Sequence, residues 1–429
     1  MIKLKAYRYT HGIRITGYDS LTYTQLQKFI TDHSLIERNV SYDGSVNYDL
    51  KKRYYGLSED TKTLYIHRNT WDTFLGYCAN RGISSNHIEV IDMPHPTYSD
   101  ADYELFEKYV LRDYQELIAE DIQCGGLKLR ENHCPGYFSA RVDLHTGYGK
   151  TLTSLASVAR LKCKIVVMVA PKYFGIWVKA LNETYKNIQG RYMTVGGGDE
   201  LRSLIDRAIE KDLDDIDCFI VSNITYRTFL EAYEYHGDKI DEAGFNCTPY
   251  QFHELLGAGV QINDEYQDDP GLTFRIDIFS NVPKQIYLSA TPFTGDKYVT
   301  KMINVALPDE TKVRLPQYIA YINALELLYL DPTVKPKDFL TPFKNTYNHT
   351  RYETIMLKDK KRLTRYLEMV ERIAEGLFIK DFKKGQKCLL LFARVIFIDA
   401  VLKHLKKKYP KIKIGKHVEI GRASCRERV

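Results

Sequence analysis

Gly147, Gly149, Lys150 and Thr151 lie close together in LHTGYGKT (144–151). These residue types suit the grip of a phosphate chain. Two glycines let the backbone approach the phosphates and turn N–H groups towards them. A helix opening near Lys150 adds its positive end. Lys150 would neutralise the β- and γ-phosphates, and the Thr151 hydroxyl would face a Mg²⁺ ion. The strict phosphate-loop pattern is GxxxxGK[ST], and Leu144 stands where its first glycine belongs. The competing reading is a glycine turn that happens to precede a lysine. The flanks favour the phosphate loop, because SARVD (139–143) can be the strand before it and LTSLASVAR (152–160) the helix after it.

A phosphate loop that hydrolyses its nucleotide needs carboxylates on a nearby strand. GVQINDEYQ (259–267) supplies a pair at the end of an apolar run. Asp264 would hold Mg²⁺ and Glu265 would orient or polarise the attacking water. An acidic pair alone has little specificity, and its bland reading is a solvated strand end. The rival pair Asp241–Glu242 lacks an apolar run before it and is set aside.

Elements must hold these groups in place. After Tyr103, helical stretches alternate with short apolar runs: KIVVMVAP (164–171), DCFIVSN (217–223), GVQINDE (259–265) and KQIYLSATP (284–292). Strands separated by helices predict an α/β domain, a parallel sheet with helices on both faces. Before it, TLYIHR (63–68) and HIEVIDM (87–93) read as strands and Leu21 to His33 as a short amphipathic helix. That stretch is expected to be a small α+β accessory domain over residues 1–95, with PHPTYSD (94–100) as a linker broken by its prolines. KCLLLFA (387–393) followed by VIFIDAVLKHLKKKY (395–409) looks like the first strand and helix of a further domain.

The order of several motifs now carries a resemblance. LRDYQ (111–115), TGYGKT (146–151), VAPKYFGIW (169–177), INDEYQ (262–267) and YLSATPF (287–293) follow one another as in the first motor domain of superfamily-2 helicases. These include DEAD/DEAH-type and phage UvsW-like enzymes. The resemblance covers about residues 103–305, with a weaker trace to about 414. It implies a P-loop RecA-like domain over 100–305 and a partial second RecA-like domain over 306–416. It implies ATP and Mg²⁺ as cofactors and a nucleic acid as partner, DNA ahead of RNA. Thr146 joins Gly147, Gly149, Lys150 and Thr151 in the nucleotide loop. Gln115, helped by Arg112, resembles the glutamine that reads the adenine edge; otherwise it is an ordinary helix-surface residue. Pro171 and Lys172 resemble a motif that contacts the nucleic-acid backbone, with Trp177 in the core. Ser289, Ala290 and Thr291 resemble the motif that couples hydrolysis to strand movement. SNITYRT (222–228) weakly resembles a strand-touching segment. The acidic motif ends in Gln267 where relatives carry His or Asp, which blurs the subfamily; Gln267 can still bridge to Ser289–Thr291.

The bulk properties agree with this class without defining it. The chain has 429 residues, which suggests two to four domains. Its 44% hydrophobic and 27% charged content fits a soluble globular protein, and no apolar run is long enough to span a bilayer. A cytoplasmic location is expected, in the host if the source is a phage. The net charge of +6 tolerates a polyanionic partner. Lysines crowd at 383–413, as a solvated face or a phosphate-tracking surface, and charge alone favours the former. Eight scattered cysteines match no zinc pattern, with Cys124 and Cys134 the nearest pair. The end EIGRASCRERV (419–429) turns abruptly Arg-rich and reads as a sequencing adapter translated in frame, so 417–429 are left out of the fold. On that reading the motor is truncated before its arginine finger, and the chain binds ATP but turns it over feebly. A restriction-system motor subunit, an RNA helicase and a nucleotide-dependent binding module without motor activity are the alternatives. An attached nuclease would mark the first; intact Lys150, Thr151, Asp264 and Glu265 argue against the last.

Overall fold

The computed structural model describes residues 4–17, 29, 37–40, 46–49, 56–58, 63–124, 138–291, 300, 303–304, 306–316, 331, 333–341, 348–380, 388–418 and 427–428. Those up to 316 belong to one compact unit and those from 331 to 428 to a second.

Five short strands open the first unit: β1 (Leu4–Arg8), β2 (Gly12–Thr16), and, after a two-stranded hairpin of β3 (Glu37–Val40) and β4 (Val46–Asp49), β5 (Gly56–Ser58), β6 (Thr63–His67) and β7 (Ile88–Asp92). Their sheet runs β5-β6-β2-β1-β7, antiparallel except where β1 meets β7. Helix α1 (Trp71–Asn80) buries Phe74, Tyr77 and Cys78. The strands expected at 63–68 and 87–93 are β6 and β7, whereas the helix expected from Leu21 to His33 lies outside the described residues apart from Phe29.

Helix α2 (Asp113–Cys124) leads into six parallel strands: β8 (Phe138–Asp143), β9 (Lys164–Val169), β10 (Tyr192–Val195), β11 (Cys218–Ser222), β12 (Ala258–Asp264) and β13 (Lys284–Ser289). Their order is β10-β11-β9-β12-β13-β8. The connecting helices are α3 (Lys150–Leu161), α4 (Phe174–Thr184), α5 (Gly198–Ile209), α6 (Asn223–His236), α7 (Pro249–Leu255) and α8 (Pro270–Phe279). The chain steps from β8 through β9 to β10 in one direction, then back through β11 and β12 to β13. Right-handed crossovers therefore place α3 and α4 on one face and α5 to α8 on the other.

The two cores follow from strand periodicity, since successive side chains point to opposite faces. In β9, Ile165, Val167 and Val169 meet Leu155 and Val158 of α3 and Trp177 and Leu181 of α4. Val166 and Met168 join Leu204, Phe229, Phe252 and Ile276 on the other face. A strand buried on both sides needs a continuous apolar run, and KIVVMV is one.

The small sheet adds to the second face. Its buried Ile13, Ile15, Leu64 and Ile66 share a core with Phe274 of α8 and Tyr287 of β13. Gly12 lies so near α8 that a Cβ there would stand 1.8 Å from the Ile278 carbonyl oxygen. Thr10 Oγ1 accepts from Val282 N–H at 3.0 Å. The stretch expected as an accessory domain thus builds a sheet of its own whose core continues into the large one.

The second unit holds helices α9 (Pro336–Phe339), α10 (His349–Lys358), α11 (Lys360–Ala374) and α12 (Val395–Lys408), with two-residue strands β14 (Leu391–Phe392), β15 (His417–Val418) and β16 (Glu427–Arg428). Met356, Val370, Phe397, Val401 and Leu405 form its small core. Among the described residues of the apolar run expected at 387–393, strand structure appears at Leu391–Phe392, and the helix expected at 395–409 is α12. Of the end excluded as adapter-derived, Glu427–Arg428 lies between β14 and β15, and most of the rest is outside the described residues. Among the described residues no helix is long and apolar enough to cross a membrane.

Candidate nucleotide site

The ends of β8, β9, β12 and β13 carry nearly every residue that the sequence singled out. In an open parallel sheet, the crevice beyond the carboxyl ends of the strands is where ligands bind. LHTGYGKT connects β8 to α3. Gly147 (φ 86°) and Gly149 (φ 85°) both take the left-handed conformation that disfavours a side chain. Gly149 is further constrained, because a Cβ there would come within 2.5 Å of Gln115 Nε2. Thr146 and Gly147 are exposed, and Lys150 and Thr151, the first residues of α3, are half-buried.

Lys150 Nζ donates to Glu265 Oε1 at 2.7 Å. This contact joins two motifs 115 residues apart. Glu265 is held from a second side by Gln267, whose Nε2 donates to Oε2 at 2.6 Å. Burial pushes the Glu265 carboxyl up, but hydrogen bonds from Lys150 and Gln267, the Lys150 charge and the Ala290 N–H outweigh it and leave the group below its ordinary value. Glu265 also has φ 49°, rare for a residue with a side chain and costing roughly 1–2 kcal/mol. Such strain persists where surrounding contacts over-determine it.

Asp264 is held differently. Its Oδ2 accepts from the Trp177 indole N–H at 2.8 Å and its Oδ1 from the Glu265 backbone N–H at 3.1 Å. Burial raises its carboxyl above the usual range, against the Trp177 hydrogen bond and the Lys150 charge.

Further residues fasten these loops. Tyr266 O–H donates to Asp143 Oδ1 at 2.9 Å, and Asp143 pairs with the fully buried Arg141 at 2.6 Å. The residue after the acidic pair is thereby tied to β8, the strand that leads into the 144–151 loop. Burial raises the Asp143 carboxyl, with Arg141 opposing.

The other sequence candidates fall as follows. Gln115 is buried; its Oε1 accepts from Arg112 N–H at 2.9 Å and its Nε2 donates to the Tyr148 carbonyl at 3.1 Å, so it braces the 144–151 loop. The helix-surface alternative for Gln115 is therefore wrong. Arg112 is exposed, with Nη1 donating to Tyr114 Oη at 3.2 Å. Pro171 and Lys172 sit exposed in a 3₁₀ turn after β9, with Lys172 Nζ 3.5 Å from Asp268 Oδ2. Ser289 is buried and its Oγ accepts from Thr291 N–H at 3.0 Å; Ala290 reaches Glu265 through its backbone. Gln267 thus connects to this segment through Glu265. In SNITYRT, Ser222 caps α6 by accepting from Thr225 N–H at 3.2 Å. The rejected pair Asp241–Glu242 lies in a 3₁₀ segment away from any strand end, with Glu242 beside His236 at 3.3 Å. The sequence points to Trp177 as a core residue, where it is, but does not reveal its polar contact, nor the roles of Arg141, Asp143 and Tyr266. The two charged residues in SARVD, within a buried strand, are the available signal for two of them.

No protein-family model matches this chain, and no curated protein does. Among solved structures, the UvsW helicase from bacteriophage T4 aligns at 14% identity and TM-score 0.40, over 73% of this chain and 100% of that one. The Hef helicase domain of Pyrococcus furiosus aligns at 13% identity and TM-score 0.34, over 69% of this chain and 56% of that one. A nuclease-deletion mutant of the Type ISP restriction-modification enzyme LlaGI, solved with a DNA substrate mimic, aligns at 14% identity and TM-score 0.29, over 43% of this chain and 18% of that one.

Proposed function

We propose that this chain is an ATP-dependent nucleic-acid motor of the superfamily-2 helicase type, acting on DNA. The observation that carries the reading is the Lys150–Glu265 contact at 2.7 Å, which sets a phosphate-loop lysine against the acidic pair of a neighbouring part of the same sheet. Thr146, Gly147, Gly149, Lys150 and Thr151 cradle the phosphates, and Gln115 with Arg112 lies beside the loop on the adenine side. When the phosphates arrive, Lys150 exchanges its carboxylate partner for them. Glu265, released from that ion pair and still held by Gln267, orients the attacking water and accepts its proton.

Thr151 and Asp264 would hold Mg²⁺; both are hard oxygen donors, and an ion bound by one carboxylate plus phosphates is the usual magnesium arrangement. When bound, the ion neutralises charge developing on the phosphates. Gln267 and the Ser289–Ala290–Thr291 segment meet at Glu265, so a change there is felt by the segment proposed to couple hydrolysis to movement. Pro171 and Lys172 would touch the nucleic-acid backbone. The coverage proposed for the motor is an ATP-binding RecA-like domain that starts near 100 and runs past the expected 305, since residues 306–316 belong to the first compact unit, with an accessory region before it and a second domain after it.

Lys150→Ala tests the reading directly. A fluorescent ATP analogue should bind at least about 10-fold more weakly, because a charge-assisted contact to the phosphates is lost. Unchanged affinity sinks the assignment. ATP turnover measured with forked DNA and with RNA then decides the nucleic acid: stimulation by RNA alone removes DNA from the proposal.

A further inference from the structure

We propose that Trp177 is a positioning residue for Asp264: its buried indole N–H fixes the carboxylate in the orientation that receives a divalent cation with its nucleotide. This deepens the reading of Asp264 as the Mg²⁺ residue and rests on it.

Trp177 lies in α4 with no exposed surface, packed in the core between that helix and the sheet. A buried indole N–H needs an acceptor, and here the acceptor is Asp264 Oδ2 at 2.8 Å. The other oxygen, Oδ1, accepts from Glu265 N–H at 3.1 Å. Two donors from different elements therefore hold the two oxygens, and the carboxylate cannot rotate without giving up one of them. Strand alternation explains how a helix side chain reaches it. Val260 and Ile262 of β12 face the α3–α4 core, and Asp264 continues that series.

The chemistry of the donor matters as much as its place. An indole N–H donates and cannot accept, and it carries no charge. It orients the carboxylate without neutralising it, whereas a lysine or arginine in its place would compete with the cation. Groups that orient a metal-holding carboxylate in this way typically account for about 10–100-fold in metal affinity.

The test uses the whole chain and mant-ADP, titrated in EDTA and then across a Mg²⁺ series, for wild type, Trp177→Phe and Asp264→Ala. In EDTA, wild type and Trp177→Phe should bind alike. With Mg²⁺, wild type should tighten, Asp264→Ala should lose that tightening, and Trp177→Phe should reach its midpoint at about 10-fold higher Mg²⁺. A purely structural role for Trp177 would instead shift the EDTA affinity and leave the Mg²⁺ midpoint in place. A Trp177→Phe curve that overlies wild type, while Asp264→Ala loses the effect, overturns the inference and leaves the function standing. A Mg²⁺ effect untouched in Asp264→Ala overturns the reading of Asp264 itself. A second measurement holds even if Trp177→Phe fails to fold. The chain has two tryptophans, so in Trp71→Phe the emission comes from Trp177 alone. That emission should change when Mg²⁺ and ADP are added together and not with ADP in EDTA; identical spectra overturn the inference.

Discussion

Strand β12 carries two sets of polar side chains that differ in what surrounds them. At its end, Asp264 and Glu265 are half-buried and open on one side, and Glu265 shares its oxygens with Lys150 and Gln267. Further back, Gln261 and Asn263 are sealed beneath α7 and α8. There His253 Nε2 donates to Gln261 Oε1 at 2.6 Å, Gln261 Nε2 to Asn263 Oδ1 at 2.9 Å, and Asn263 Nδ2 to Gln285 Oε1 at 3.2 Å. The Tyr287 hydroxyl meets Gln285 and donates to Asp277 Oδ2 at 2.6 Å, and His67 stands 3.7 Å from the same oxygen. Every member of that chain is buried. Similar residue types thus serve opposite ends. The open set can exchange partners when a ligand arrives, while the closed set has none to exchange with, and fixes which side chains may lie between the sheets.

Three experiments bear on that difference. The largest effect is expected at the open end. Glu265→Gln keeps the shape and removes the proposed base, so nucleotide should still bind while turnover falls by about 10²–10⁴-fold. If turnover is retained, the open set is no more chemical than the closed one. Next comes the protonation of the closed set. Burial lowers His253 from its ordinary value to about 4. Its folded form therefore binds fewer protons than its unfolded form between about 6.5 and 4. Stability from this group is complete above 6.5 and is lost as pH falls through 4, a change of about 3 kcal/mol at most. His11, also driven down by burial, acts in the same direction. Urea unfolding at pH 7 and pH 4.5 should show the slope, and His253→Gln should flatten it in part; an unaltered slope means His253 is protonated in the fold. The smallest effect is a single link. Asn263→Leu strands Gln261 and Gln285 and should cost about 1–3 kcal/mol of stability, with nucleotide affinity at low temperature unchanged. Loss of nucleotide binding in the folded variant would show that the closed set supports the open one.

Much of this was legible beforehand. The strands at 164–169, 218–222, 258–264 and 284–289 were each announced by an apolar run, because strands buried on both faces have little room for polar residues. The exceptions are instructive. Gln261, Asn263 and Gln285 interrupt those runs, yet nothing in the chain order says that they meet one another. Strand β10 is not legible in the sequence because YMTV is short and only Val195 is buried. The glycine-lysine loop and the acidic pair stand out in the sequence because the proposed chemistry restricts residue type at fixed spacing, and the structure brings Lys150 and Glu265 into contact. Trp177 reads as core because aromatic character predicts burial, and burial alone does not name the partner of an indole N–H.

By itself the sequence determined the parallel α/β sheet and the two motifs at its edge, since periodicity and glycine placement are local properties of the chain. Tertiary structure alone decided that β13 lies between β8 and β12, that Lys150 reaches Glu265, that Trp177 holds Asp264, and that the small sheet shares a core with the large one. These are pairings across 87 to 115 residues or more, set by the packing of whole layers, and no local pattern encodes which buried donor will find which acceptor.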